Sequence, residues 1–374
     1  MRNRLPYFFL PRHILTIVNI NFSDMERFYE LSEITLLPKA ANHGFQSIEK
    51  YDFYVEDLED HTGISRTLPI FTAPRESIIG KDNAKLFQDK GIRPILPASE
   101  DINVRLEYCQ WIFCSFTLGE IRKHFCERKA IYDDRTQLHV NIETDNGHSE
   151  GLLAICKNLR RLYGAQIIIM AGNIGRDTTY KEYCNSGVDY IRVGIGTSSL
   201  EEGDNSGFYF PLGSLLDAIK NYKRVNSAIL PRQTKLVVDG GLESITDVIK
   251  AFALGADYVM IGFMFAGLLE AAGPLRKSDK NKDGSTNFNV VDPNSLAGMT
   301  GPQLRSNGLC RQYYGNNEFN FRKFSPKWIG VKKTLDEWIQ EFIEKSYYAF
   351  TMSDVSNWKD FGRSTTYGIS LGGR

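Results

Sequence analysis

A chain of 374 residues that is 42% hydrophobic has globular composition and a length suited to two small domains or one barrel of about 250 residues carrying insertions. Its 45 basic and 45 acidic side chains give a formal net charge of zero. That balance excludes a general attraction to nucleic-acid backbones, which requires excess Lys and Arg to displace counterions, and leaves small molecules as the default partners.

The first 60 residues read as a segment leading into the main domain. Its run "PYFFLPRHILTIVNINFS" is apolar in flavour, but Pro11, Arg12 and His13 interrupt it and no small-residue cleavage site follows. Neither a cleaved signal nor a membrane span is expected, since a bilayer core needs about 20 apolar residues. Met25 opens a more ordinary sequence and is an alternative start.

From residue 61 onward, short apolar runs alternate with helical patterns. The expected strands are "LPIFTAP" (68–74), "IRPILPA" (92–98), "WIFCSFT" (111–117), "LHVNIET" (138–144), "AQIIIMAG" (165–172), "YIRVGIG" (190–196), "KLVVDGG" (235–241) and "YVMIGF" (258–263). They are rich in Ile and Val with little polar alternation, as parallel strands covered by helices are. Between them, "SEGLLAICKNLRRLYG" places Leu152, Leu153, Cys156, Leu159 and Leu162 on one helical face, and "SITDVIKAFALGA" ends at Gly255. Eight such units predict an α/β fold of the (β/α)8 TIM-barrel type over 61–350. A doubly wound open sheet is the alternative. The barrel is preferred because Glu143, Asn146, Gly172, Asn173, Gly194, Asp239 to Gly241 and Gly262 all fall at C-terminal strand ends, where a closed barrel converges them on one mouth.

After the eighth strand, residues 274–319 form a polar, glycine-punctuated, flap-like insertion, followed by the helical pattern "KKTLDEWIQEFIEKSYYAF" and a tail over 351–374. An insertion of this length is functional or disordered. Within it "DKNKDG" copies the first half of a calcium loop, but Val290 stands at the twelfth position where a bidentate carboxylate is required, so a solvated hairpin turn is expected and no metal. Six cysteines without C-x-x-C spacing read as reduced structural thiols, which points to the cytoplasm.

Glycine after the seventh and eighth strands of a barrel lets backbone N–H groups approach a phosphate. Gly240 and Gly241 occupy the first of these positions and Gly262 the second, Ser199 after the sixth strand can add a hydroxyl, and Asp239 can accept hydrogen bonds from a ribose diol. A tight turn with a helix-capping acid is the plainer reading of "DGG" taken alone.

The motifs "NIETDNGHSEGL", "IIIMAGNIG", "GVDYIRVGIGTSSL", "KLVVDGGLESITDVIKAFALGADYVMIGFMFAGLLEAAG" and "YYGNNEF" stand in the order and spacing of the IMP dehydrogenase / GMP reductase family, which the chain resembles from about Leu31 to beyond Phe319. No regulatory insertion interrupts the barrel after its second strand, and "DNGHSE" is closer to the reductase form. The resemblance implies a purine 5′-monophosphate as substrate, NADP or NAD as cofactor, and a homo-oligomer, a tetramer of barrels or a pair of them. It also implies a monophosphate site of Ser199, Gly240, Gly241 and Gly262, with Asp239 on the ribose. Tyr314 and Gly315 match the closing flap, and Asn173 and Arg192 the reaction centre and cofactor side. Glu143, with Asn146 beside it, replaces an aspartate near the nicotinamide ribose.

The departures are at the chemical centre. The family's nucleophilic cysteine, two residues after the phosphate-binding serine, is Glu201, and the following proton-transfer threonine is Glu202. Phe263 replaces a small residue beside the phosphate, Arg75 and Glu76 alter the purine surroundings, and the flap glutamate Glu318 falls one position early. Three readings stay open. A nicotinamide-dependent oxidoreductase would use Cys310 or no covalent step. A different reaction on a related nucleotide would use Glu201 or Glu202 as acid or base. A relative without turnover would only bind, with "EEGD" as a solvated loop tip.

Overall fold

The computed structural model describes residues 16–17, 28–40, 46–56, 66–127, 137–144, 146–196, 208–226, 234–280, 286–313 and 327–370. Eight parallel strands form its centre: β1 (Ile70–Thr72), β2 (Ile95–Leu96), β3 (Phe113–Thr117), β4 (Leu138–Glu143), β5 (Ile167–Ile174), β6 (Tyr190–Val193), β7 (Lys235–Asp239) and β8 (Tyr258–Ile261). From β2 to β8 each pairs with its successor, and β8 returns to β1 with Val259 opposite Ile70. Between β1 and β2 a parallel bridge joins Phe71 to Arg93. There the Thr72 amide donates to the Arg93 carbonyl and the Arg93 amide to the Ile70 carbonyl, both at 3.0 Å. That closure makes the sheet a (β/α)8 barrel rather than an open doubly wound sheet.

The helices that cover the strands on the outside are α1 (Lys81–Asp89), α2 (Ile102–Tyr108), α3 (Leu118–Ile121), α4 (Glu150–Tyr163), α5 (Asp177–Cys184), α6 (Leu212–Val225), α7 (Ile245–Ala253) and α8 (Leu335–Ser353). Local sequence sets their ends. Ser149 caps α4 by accepting from the Leu152 amide, and the helix buries Leu152, Ile155, Cys156, Leu159 and Tyr163, with Leu153 and Leu162 at the margin of that face. Ser244 and Asp247 form a capping box on α7, and Gly255, at φ 94°, turns the chain back toward β8.

Alternation along the strands sorts the barrel interior into layers. At its N-terminal end Phe71, Phe113, Tyr190 and Tyr258 surround the Arg93 guanidinium at 4.7 to 5.8 Å from their ring centres, and Arg93 donates to the Tyr190 hydroxyl at 2.9 Å. Two residues further along β3, β4 and β6, the inward positions hold Ser115, Asn141 and Arg192 instead. The floor is aromatic, and on these three strands the layer above it is polar.

Around the barrel, Ile34–Leu37 pairs antiparallel with Thr366–Ile369, and a last helix, α9 (Trp358–Ser364), packs on α7. After β8 a four-stranded antiparallel sheet is built from β9 (Leu275–Lys280), β10 (Thr286–Val290), β11 (Leu309–Tyr313) and β12 (Lys327–Gly330), in the order β10-β9-β11-β12. The "DKNKDG" stretch spans the turn between β9 and β10, of which 281–285 lie outside the described residues; the Asp279 side chain accepts from Asn289 Nδ2 at 3.1 Å. Among the described residues no helix is long and apolar enough to cross a membrane.

Candidate functional site at the barrel mouth

The polar layer forms one connected network. Arg192, only 3% exposed, donates to the Ile142 carbonyl at 3.0 Å and lies 3.5 Å from Glu143 Oε1 and 3.7 Å from Asp239 Oδ2. Glu143 Oε1 also accepts from Asn141 Nδ2 at 2.7 Å and from the Ser115 hydroxyl at 3.1 Å. Asn173 Nδ2 donates to Asp239 Oδ2 and to the Gly194 carbonyl, both at 3.0 Å. A buried guanidinium is tolerable because two carboxylates and a carbonyl face it. Each carboxylate is in turn aimed by amides. Asn141 Oδ1 and Arg192 Nε are buried without a hydrogen-bond partner among the described residues, so the network keeps capacity for a polar ligand.

The loop after β4 is fitted to the end of β5. The Gly147 amide donates to the Asn173 carbonyl at 3.0 Å, and the Gly147 carbonyl accepts from the Tyr183 hydroxyl at 2.6 Å. A Cβ on Gly147 would lie 2.5 Å from the Asn173 carbonyl oxygen, a backbone atom that cannot swing away. Gly147→Ala is therefore expected to lower stability by about 1–3 kcal/mol, as overpacking does. Urea unfolding checks this against Gly151→Ala, whose methyl meets nothing closer than Ser149 Oγ at 3.5 Å and which should be neutral or stabilising. Asn146 stays outside the network: it is exposed, and its Oδ1 accepts from the His148 amide at 2.9 Å in a local turn.

The turns after β7 and β8 have the backbone that glycine permits. Gly240 (φ 101°) and Gly241 (φ 69°) are left-handed directly after Asp239. At Gly262 the constraint is proximity, since a Cβ would stand 2.6 Å from the Tyr313 hydroxyl. Phe263 packs edge-on against Tyr313 with ring centres 6.3 Å apart, and Lys327 Nζ lies 5.1 Å from the Phe263 ring centre. The ends of β11 and β12 thus sit directly on the turn after β8. Ser199, Glu201, Glu202, Tyr314, Gly315 and Glu318 lie outside the described residues.

Cys310 is buried in β11, opposite Arg276 of β9 and Gly330 of β12. Burial pushes its thiol pKa up, against the pull of Arg276 and Arg311, which is the opposite of nucleophile activation. Cys184 is likewise buried, and its pKa is raised by burial.

Four residues of this region were given no role by the sequence, although Asn141 and His148 lie in "NIETDNGHSEGL" and Tyr313 opens "YYGNNEF"; the fourth is Ser115. Asn141 had a signal, since His139, Asn141 and Glu143 recur at period two in a strand that is otherwise apolar. Ser115 had none, because its partners Asn141 and Glu143 come from another strand.

Residues 115–287 match the family model described as the IMP dehydrogenase / GMP reductase domain. The chain is 30% identical over 169 residues to a GMP reductase of Buchnera aphidicola, covering 44% of this chain and 46% of that protein. It is 25% identical over 235 residues to an inosine-5′-monophosphate dehydrogenase of Chlorobaculum parvum, covering 61% of this chain and 44% of that one. It thus spans less than half the length of these two relatives. The crystal structure of inosine 5′ monophosphate dehydrogenase from Legionella pneumophila superposes with a TM-score of 0.68 at 21% identity, covering 93% of this chain and all of that one, a likeness of fold.

Proposed function

We propose that the chain, whose residues 115–287 match the model of the IMP dehydrogenase / GMP reductase domain, is a purine-nucleotide oxidoreductase of the GMP reductase kind. The substrate is a purine 5′-monophosphate and the cofactor NADP or NAD. One observation carries the reading: Asp239 ends β7 with its carboxylate oriented by Asn173 and Arg192, directly before two left-handed glycines. A carboxylate beside two left-handed glycines, whose backbone can approach a ligand closely, suits a ribose diol and its phosphate.

In this proposal Gly240, Gly241, Gly262 and Ser199 bind the phosphate, and Tyr314, Gly315 and Glu318 close over it. Glu143, Asn173 and Arg192 would hold the cofactor's nicotinamide side, and the spare capacity of Asn141 and Arg192 supports that fit. When bound, the cofactor supplies hydride exchange with the purine. Glu201 and Glu202 take the proton-transfer role. Cys310 does not suit the role of nucleophile, because its thiol is buried and held protonated. We further propose a homotetramer in the cytoplasm; six free cysteines support the compartment.

The test is calorimetric titration with GMP, IMP and their nucleosides, together with nicotinamide absorbance in both redox directions. Asp239→Ala should weaken nucleotide binding about 10- to 100-fold, the loss of hydrogen bonds to a charged acceptor. A nucleoside that binds as tightly as its monophosphate would refute the phosphate cradle. Tight binding with no absorbance change for either cofactor would refute the oxidoreductase.

A further inference from the structure

We propose that His148 is a positioning residue whose neutral imidazole clasps the loop after β4 onto the loop after β5, holding Asn173 against Asp239 and making the competence of the mouth depend on pH. The Gly175 amide donates to His148 Nε2 at 2.9 Å. A backbone amide can only donate, so Nε2 carries a lone pair and the ring proton sits on Nδ1, which donates to the Thr179 hydroxyl at 2.8 Å. Both ring nitrogens are engaged in the neutral form and in one tautomer.

The clasp brackets Asn173. One residue before His148, Gly147 donates to the Asn173 carbonyl, and two residues after Asn173, Gly175 donates to the imidazole. Asn173 in turn holds Asp239 Oδ2 and the Gly194 carbonyl. Protonation would place an Nε2–H against the Gly175 N–H, two donors facing each other, and open one side of the bracket.

The charged groups facing the ring are Arg176 and Glu182. Burial first, and Arg176 second, push the His148 pKa below its ordinary value, with Glu182 opposing. A histidine depressed in the folded state contributes stability that is complete above its ordinary pKa of about 6.5 and is lost as pH falls through the lower folded value. The clasp is therefore closed at neutral pH and releases on acidification.

Three full-length proteins test this: wild type, His148→Gln, whose amide oxygen can accept from Gly175 at any pH, and His148→Phe, which fills the space without an acceptor. Amide exchange at Gly175 reads the clasp without any ligand. Protection should fall about tenfold in His148→Phe, the effect of losing one hydrogen bond, and be retained in His148→Gln. Wild type should lose protection relative to His148→Gln as pH falls from about 8 through the folded pKa, which burial holds below the ordinary value of about 6.5. Equal Gly175 protection in wild type and His148→Phe at about pH 8 overturns the clasp; should His148→Phe not fold, protection in wild type that never drops below that of His148→Gln as pH falls through the histidine's folded pKa overturns it.

The effect on the mouth rests on the functional reading above and is measured by GMP titration. Affinity should fall on acidification more steeply for wild type than for His148→Gln; the titration of the ligand's own phosphate is common to both and cancels. Parallel pH profiles overturn the pH dependence. GMP binding to neither protein refutes the ligand assignment, while Gly175 exchange still decides the clasp.

Discussion

Arg311→Met is expected to cost roughly 4–6 kcal/mol and to loosen the four-stranded sheet while the barrel stays folded. Arg311 lies on β11 with 0% of its surface exposed, and burial pulls its pKa down to about 10, so it is still charged at neutral pH. Its guanidinium donates to four carbonyls of the segment leaving β8: Gly273 at 2.5 Å, Leu268 at 2.6 Å, Ala266 at 3.1 Å and Leu269 at 3.2 Å. Methionine keeps much of the apolar stem but leaves those oxygens without a donor, and each unsatisfied buried group costs about 1–3 kcal/mol. Even at the low end of that range, the sum is a large share of the 5–15 kcal/mol typical of a folded domain. Hydrogen exchange should therefore accelerate in β9, β11 and β12 well before β3 to β8. A variant that melts with wild type and keeps protection in β11 would show that the carbonyls find other partners. Because the sheet's ends rest on Gly262 and Phe263, the same variant should also weaken binding of any anion held at that turn.

The second large effect is expected from Arg192→Ala, which removes the cation between Glu143 and Asp239. Breaking a buried ion pair from one side costs about 3–5 kcal/mol. The lower end, about 3 kcal/mol, applies here because the Asp239 side chain keeps 23% of its surface in contact with solvent. Arg192→Lys should recover only part, since one ammonium cannot reproduce the planar fork that serves the Ile142 carbonyl and both carboxylates. Adding Glu143→Gln to Arg192→Ala should return part of the loss, because the uncompensated carboxylate is then gone. Strict additivity of the two substitutions in urea unfolding would mean that the groups do not interact.

The eight strands were legible in the sequence for a specific reason. A parallel strand covered on both faces is a continuous apolar run, so the run itself marks the element, and each of the eight segments contains one. The glycine and acid positions at strand ends were legible for the same reason, since a strand's end is where its apolar run stops. Gly240, Gly241 and Gly262 then meet the backbone or proximity demands that glycine satisfies.

Ring closure was decided only by the tertiary structure, because the Phe71–Arg93 bridge lies outside the apolar run of β2. So was the direction in which β4 faces. His139, Asn141 and Glu143 share one side by alternation, but only closure turns that side inward against Ser115 and Arg192. Arg93 and Arg311 carry no mark of burial in the sequence, and Arg192 is placed at the cofactor side there only by the resemblance, yet each is held inside by groups far away in the chain. Arg192 meets Glu143 from 49 residues away, and Arg311 meets the Gly273 carbonyl from 38. Burying a charge is permitted only by partners that desolvate with it. Composition and periodicity describe neighbours along the chain, whereas those partners become neighbours only when the strands close.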